Sequence, residues 1–472
     1  MRTGAPGADG STSVLASDAV ADRRAIPTRF RGHPGSALAT WAALRPSREG
    51  YALGAVVLVG FGSTLAVGRY QPVALLAIVI GAGAALLSAT GRPGQARTPT
   101  WCVAAFVGAI CTAFLLGASP LEWVGPCAGG LGGVVAILTK RRVLRLAGAS
   151  VAGLVSLVVI AKSITWGRAD IDVFNFTQRA TEQLLHGRDP YAMSYPTTTP
   201  HLPLAHYFYL PGTLFLSIPG RLLGDVRVSD LLAAAVLIGA VTILARRSGG
   251  GERAWRLLVL CLTLPFFPLM VLFGWTEVYF TAAIAVWLVL RADHPRVAIL
   301  VLGLGMATVP TPLPLLVLPF LWWRRPRLEI LAAALVALVI CLPFALWGGP
   351  GQFVYANFLL NIHLPPLPVG LDLDAAFLRL TGAWPPAWIW PVVVVVSVLL
   401  AARARRRSWP TAFYIGSTFL LVVLLFAKWA IFNYYFLVVM GLVLALALER
   451  AGGQARATQG RTEPVPAAAL PG

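Results

Sequence analysis

The feature that most restricts this chain is a succession of apolar runs from Tyr51 to Leu448, broken by only two long polar gaps. The hydrocarbon core of a bilayer is about 30 Å thick and takes about 20 apolar residues to cross as a helix. Inside it every backbone N–H and C=O needs a partner within the protein. Runs of this length and number specify an all-α, polytopic membrane bundle. With 57% hydrophobic and 12% charged residues, a soluble enzyme, a nucleic-acid binder and a disordered scaffold are excluded. The net charge of +19 does not reverse this, because the 38 Lys and Arg sit in short clusters between apolar runs, where they sort loops to the cytoplasm.

Only Lys140, Lys162 and Lys428 are lysines. The Arg and Ala excess is the kind that GC-rich coding gives, and it points to a bacterial plasma membrane. Cys102, Cys111, Cys127, Cys261 and Cys341 lie inside apolar stretches without metal or disulfide spacing, so they read as small packing residues.

Residues 1–48 and 449–472 read as disordered cytoplasmic tails. Spans are expected near 51–69, 72–90, 101–118, 122–139 and 145–164, forming a five-span region over 49–164. The cluster Lys140, Arg141, Arg142 and Arg145 is cytoplasmic by the positive-inside rule, which places a first outer loop at 165–227. The apolar piece Leu210 to Gly224 is about 15 residues long and holds Pro211 and Pro219. If it crossed, Arg246, Arg247, Arg253 and Arg256 would face outward. A re-entrant segment returns them to the cytoplasm, and a bundle over 228–448 follows. Its spans are expected near 228–245, 256–273, 277–290, 328–346, 386–402, 409–427 and 430–448, with a Pro-broken hairpin at 297–323 and a second outer loop at 347–385. The total is about 14 spans.

The polar groups that topology leaves over collect on the outer face: Asp170, Asp172, Glu182, His186, Arg188, Asp189, His201 and His206 in the first gap, then Glu277, His363, Asp372, Asp374 and Lys428. Ionisable residues at membrane depth are functional candidates. Val173, Phe176, Ala180 and Leu184 recur at helical spacing with polar residues opposite, which predicts a surface-lying amphipathic helix. Gly187 stops it, and Arg188-Asp189-Pro190-Tyr191 forms a turn. Asp172 or Asp170 either caps this helix or acts as a general base at the bilayer edge. The bland alternatives are snorkelling for Arg168 and Lys428 and solvated loop positions for His186, His201 and His363. Asp372-x-Asp374 is the nearest approach to a cation site, so no cofactor is indicated.

Three segments carry a resemblance: Asp170-Ile-Asp172-Val-Phe174 with Leu184 through Tyr191 and Tyr209-Leu210-Pro211-Gly212; Phe273-Gly274-Trp275-Thr276-Glu277; and Lys428-Trp429-Ala430 through Asn433-Tyr434-Tyr435-Phe436. In their order along the chain they resemble the GT-C glycosyltransferases, most of all the bacterial polyprenyl-phosphate-mannose-dependent mannosyltransferases (family 87-like), over residues 145 to 448. The resemblance implies transfer of a sugar from a polyprenyl-phosphate donor to a hydroxyl of a lipid- or envelope-linked glycan at the outer face, with inversion. It makes Asp170 the catalytic base and Asp172 second. Arg168, Arg188, Asp189, Tyr191, His206, Tyr209, Glu277 and Lys428 are the substrate-binding candidates. The chain departs from the pattern in having five spans before the loop, and in lacking a lysine before Pro310 and Pro312. The rival reading is a transporter or lipid-linked-sugar flippase, which calls for mid-span charges and matched broken helices. A non-catalytic assembly subunit is a third.

Overall fold

The structure, a computed structural model, describes residues 46–66, 70–91, 94–116, 120–165, 172–196, 204–309, 319–320, 323–360, 370–386, 388–402, 408–427 and 430–450. Nearly all of both expected tails, and Pro310, Pro312 and Pro314 of the expected hairpin, lie outside them. The first helices are α1 (Arg48–Leu65), α2 (Pro72–Thr90), α3 (Thr98–Leu116), α4 (Pro120–Leu138) and α5 (Arg142–Thr165). There follow α6 (Asp172–Leu185), an antiparallel hairpin of β1 (Ser194–Pro196) and β2 (Leu204–His206) pairing Tyr195 with Ala205, and α7 (Pro211–Leu222). Then come α8 (Arg227–Thr263), α9 (Phe266–Phe273), α10 (Glu277–Leu290), α11 (Pro295–Met306) and α12 (Arg324–Trp347). Last are α13 (Pro350–Val354), α14 (Leu373–Thr381), α15 (Ile389–Ala402), α16 (Trp409–Leu425) and α17 (Phe432–Leu448).

Local chemistry sets many of these boundaries. Ser47 caps α1 by accepting from the Gly50 N–H at 3.2 Å. Prolines open α2, α7 and α11, where the missing N–H costs no hydrogen bond. Of the described helices α2, α5, α8 and α12 are long and apolar enough to cross a bilayer, and the chain is a multi-pass membrane protein. The centre is α17, whose residues 435–439 are fully buried, with α16, α10 and α8 around it. Leucines and valines along α5, α12 and α15 stay exposed, as on lipid-facing helices.

The 37 residues of α8 are two helices. Gly250, at φ 81° and ψ −178°, separates 227–249 from 251–263, and only glycine takes this backbone without strain. The Arg227 guanidinium lies 4.6 Å from the Phe174 ring, and a Cβ on Gly274 would stand 3.2 Å from Phe174 Cβ. Phe174 therefore touches both ends of the run 227–274, which goes out and returns. The outward limb of 23 residues, 227–249, covers about 34 Å at 1.5 Å per residue, a full bilayer core. The return limb is interrupted at Leu264–Pro265, since Pro265 lacks the N–H that would continue the helix, and resumes as α9.

The far turn of this excursion carries the basic residues. Arg145 pairs with Glu252 at 2.8 Å, Arg247 donates to the Val289 carbonyl at 2.7 Å, and Arg253 pairs with Glu49 at 3.2 Å and donates to the Glu449 carbonyl. Arg48 lies over the Tyr414 ring at 4.4 Å and donates to Thr411. The clusters around Arg145, Arg253, Arg291 and Arg325 thus share one end of the bundle. The short α7 stays at the opposite end: Gly212 donates to Ala307 O at 2.8 Å, and Arg221 pairs with Glu182 of α6 at 3.1 Å. Its 12 residues cover about 18 Å, too little to cross.

Glu49 and Arg253 are 2% and 6% exposed, so each buried charge depends on the other. Replacing Glu49 by Ala is expected to lower stability by about 3–5 kcal/mol, the loss typical of a broken buried pair. Thermal unfolding in detergent checks this, and an unchanged midpoint would count against the clamp.

Candidate functional site

At the end opposite Arg253, α6 begins on top of the turn that joins α9 to α10. Gly274 closes α9 at φ 64°, a left-handed turn that glycine takes without penalty. Its missing side chain lets Phe174 seat against the backbone. Two residues before Phe174 stands Asp172, half-buried in the first turn of α6. Three residues after Gly274 stands Glu277, 2% exposed and first in α10. Asn433, at the start of α17 and 4% exposed, donates to Glu277 Oε1 at 2.7 Å.

Tyr209 lies near both carboxylates. Burial pushes its phenol well above the ordinary value, and the nearby charges of Glu277, Tyr434, Tyr207 and Asp172 push it further. Segments that are some 100 and 150 residues apart in sequence thus meet: Asp172 to Phe174, Trp275 to Glu277, and Asn433 to Tyr434. Among the described residues the Thr276 hydroxyl and the Asn433 Oδ1 are buried without a hydrogen bond, so the polar lining offers unused donors and acceptors.

Other expected residues build the wall of this end. Asp189 accepts from the Tyr191 N–H at 2.9 Å, which ties the turn after α6. Tyr191 is fully buried, donates to the Tyr209 carbonyl at 2.6 Å, and packs edge-on against Phe353 at 5.0 Å and Tyr207 at 5.6 Å. His206 Nδ1 is 3.1 Å from the Met193 carbonyl across the hairpin. Arg188 and His186 are exposed, with the His186 ring 2.8 Å from the Glu182 carbonyl. Arg168, Asp170, His201, His363 and Lys428 lie outside the described residues.

The later polar segment reaches the same end. Leu371 donates to Ala430 O at 2.7 Å, and Tyr435 donates to the Leu371 carbonyl. Asp372 is fully buried and caps α14 by accepting from the Ala375 N–H at 2.7 Å. Burial pushes its carboxyl up to about 7, against the backbone N–H groups that favour its charge and with the neighbouring Asp374 adding to the rise.

Two groups escaped the reading of the sequence. Asn433 was visible only as part of a segment, and nothing in its spacing marks it as the partner of Glu277. Asp230, 1% exposed, neighbours the Tyr279 hydroxyl, which is 3.4 Å from Ser217 Oγ. A carboxylate inside the apolar run 228–245 was the available signal.

An apolar crevice of about 270 Å³ opens beside this end, lined among others by Leu216 and Pro219 of α7, Val236 of α8, Tyr279 of α10 and Leu304 of α11.

No protein-family model matches the chain, and no curated protein does. Among solved structures, ArnT from Cupriavidus metallidurans in the apo state is similar, with 20% identity, a TM-score of 0.43, and coverage of 66% of this chain and 61% of that one. The chain spans less than two thirds of that structure, and a likeness at this level assigns neither activity nor substrate.

Asp372 supplies a pH test. Its folded value lies above the unfolded one, near 3.9 for a free Asp, so the folded state binds the extra proton and stability falls as pH rises from about 4 to about 7. Asn caps a helix as well as Asp. Asp372→Asn is expected to remove that fall and to be the more stable protein at pH 8, with no difference below pH 4. Unfolding in detergent across this range reads it out, and parallel curves would refute the raised value.

Proposed function

We propose that this chain is an integral-membrane glycosyltransferase of the GT-C kind that moves a sugar, mannose in the first instance, from a polyprenyl-phosphate carrier to a hydroxyl of a lipid- or envelope-linked glycan. The observation that carries the reading is the meeting of Asp172, Tyr209 and the Glu277–Asn433 pair at one end of the bundle, next to an apolar crevice. Since the basic clusters occupy the other end, this end is the outer one by the positive-inside rule.

In the proposed reaction an aspartate, Asp170 first and Asp172 second, takes the proton of the acceptor hydroxyl. The oxygen attacks the anomeric carbon from the face opposite the phosphate. The carbon–oxygen bond to the phosphate breaks, the configuration inverts, and polyprenyl phosphate departs with its negative charge. A base contributes about 10²–10⁴-fold, and alignment of the two substrates adds to it. Donors are also needed where the phosphate charge grows; Arg168, Arg188, His206 and Lys428 are the proposed groups.

Glu277 and Tyr209 suit the sugar hydroxyls. With Asn433 holding Oε1, the carboxyl keeps Oε2 to accept from a sugar, and burial strengthens each such bond. The crevice between α7 and α8 suits the start of the prenyl tail: it is apolar, and Val236 on its rim is 51% exposed toward the lipid side. Asp189 and Tyr191 are assigned to shaping the loop that carries these groups.

The test is sugar transfer by the purified protein in liposomes, with radiolabelled polyprenyl-phosphate-mannose and an envelope glycolipid extract. Wild type is expected to form product, and folded Asp170→Asn to lose about three orders of magnitude. Equal activity of the two moves the base to Asp172. Inactivity of wild type with every carrier-linked sugar tried would overturn the transferase reading.

Glu277→Gln keeps the shape and the Asn433 contact but removes the charge. It is expected to lower kcat/KM by about 10–100-fold, as loss of a charge-assisted hydrogen bond of about 1.5–3 kcal/mol implies. Unchanged kinetics would remove Glu277 from the sugar site.

A further inference from the structure

The Arg253 end of the bundle holds a second crevice, of about 410 Å³, between the first turns of α11 and α12. Pro295, Ile299 and Leu328 form its apolar part and Arg324, Arg325 and Glu329 its charged part. Glu329 is already neutralised: Arg291 meets it at 2.9 and 3.0 Å, Trp287 Nε1 donates to it at 2.9 Å, and Arg325 lies 3.3 Å away. Arg324 and Arg296, the latter next to Pro295, are exposed and make no ion pair among the described residues. Another acid of this end, Asp293, is 3.7 Å from Arg247. The crevice therefore keeps a net positive charge of its own.

Sorting of arginines to one side of a membrane explains their presence here, but it does not explain a hollow between two helices with an apolar floor. That floor continues outward. Leu328 lines the crevice and also begins a row of exposed residues on α12, at 56%, followed by Leu331, Leu335, Leu338 and Leu342 at 50–61%. The spacing of three and four keeps them on one face. A ligand matched to this surface has an anionic head between Arg324 and Arg325 and hydrocarbon that follows Leu328 toward the bilayer centre. A free phosphate or a soluble nucleotide would leave that apolar row unused.

We infer that the α11–α12 crevice is a binding site for the headgroup of an anionic phospholipid of the inner leaflet, held by Arg324 and Arg325 with its acyl chains along the Leu328–Leu342 row. The site is independent of the transferase reading, lying at the other end of the molecule from Glu277.

The experiment is native mass spectrometry of the full chain released from nanodiscs of phosphatidylglycerol and phosphatidylcholine in equal amounts. Wild type is expected to retain phosphatidylglycerol selectively. Each basic residue near an anionic surface is worth about fivefold in affinity. Arg324→Gln should thus lower retention by about fivefold, and the double variant with Arg325→Gln by about twentyfold. Arg324→Gln leaves the Glu329 ion pairs in place, so it separates lost binding from lost folding. Arg142→Gln, an exposed arginine on α5 at the same end, should retain lipid as wild type does. An equal loss in Arg142→Gln would reduce the effect to general surface charge and overturn the site. Displacement of the lipid by inorganic phosphate at equal concentration would overturn the lipid in favour of a soluble anion.

Discussion

The cost of a charge in hydrocarbon organises this molecule. An arginine or carboxylate at the bilayer centre costs several kcal/mol, so charges are driven to the two ends of the helices or into pairs. Both results are seen. Arg145, Arg247, Arg253, Arg291 and Arg325 gather at one end with Glu252, Asp293, Glu49 and Glu329 as their partners. The other end holds carboxylates, tyrosines and a few basic side chains, among them the buried Arg227 paired with Asp225. The separation lets one end work as a latch and gathers the buried carboxylates Glu277 and Asp372 away from it.

The same constraint explains what could be read from the sequence. Helix positions follow from the apolar runs, so α2 and α10 occupy the expected residues 72–90 and 277–290, and Pro72 and Glu277 fall where each begins. The limits of the other helices shift by a few residues, because caps such as Ser47 lie outside the apolar run and extend α1 to Arg48. The reversal at Gly250 was implied by the orientation of Arg246 to Arg256, although three successive glycines say nothing about which of them takes the left-handed turn. The short segment at 210–224 could be weighed only through the charges that follow it. In the structure its fixed points are Ala307 and Thr308, which no local pattern connects to Gly212 and Thr213.

The site was less legible than the fold, for a physical reason. Periodicity reports which face of a helix is apolar, but it does not say which helix will stand opposite. Glu277 stood out as a carboxylate at the start of an apolar run. That Asn433 would meet it, 156 positions later, depends on the packing of α10 against α17, and an asparagine at a helix start reads equally well as a cap. Tyr191 and Asp189 show the converse. A conspicuous loop sequence proves to be occupied in holding its own turn, with its ring inside an aromatic cluster of Tyr207, Phe344 and Phe353.

The latch at the Arg253 end has a consequence for biogenesis. Helices of a membrane protein leave the ribosome in order, and α1, the first of the described helices, already carries Glu49. Its partner Arg253 is synthesised some 200 residues later, while the Glu449 carbonyl and the Tyr414 ring come at the close of the chain. Until Arg253 is made, Glu49 has the Ala96 N–H at 2.9 Å but no ion-pair partner among the described residues. Of the groups in this clamp, the Tyr414 ring of α16 and the Glu449 carbonyl after α17, which meet Arg48 and Arg253, are made last. A nascent chain stalled before Trp409 leaves bare the surfaces of α1 and α8 that α17 covers and the surface of α2 that α16 covers.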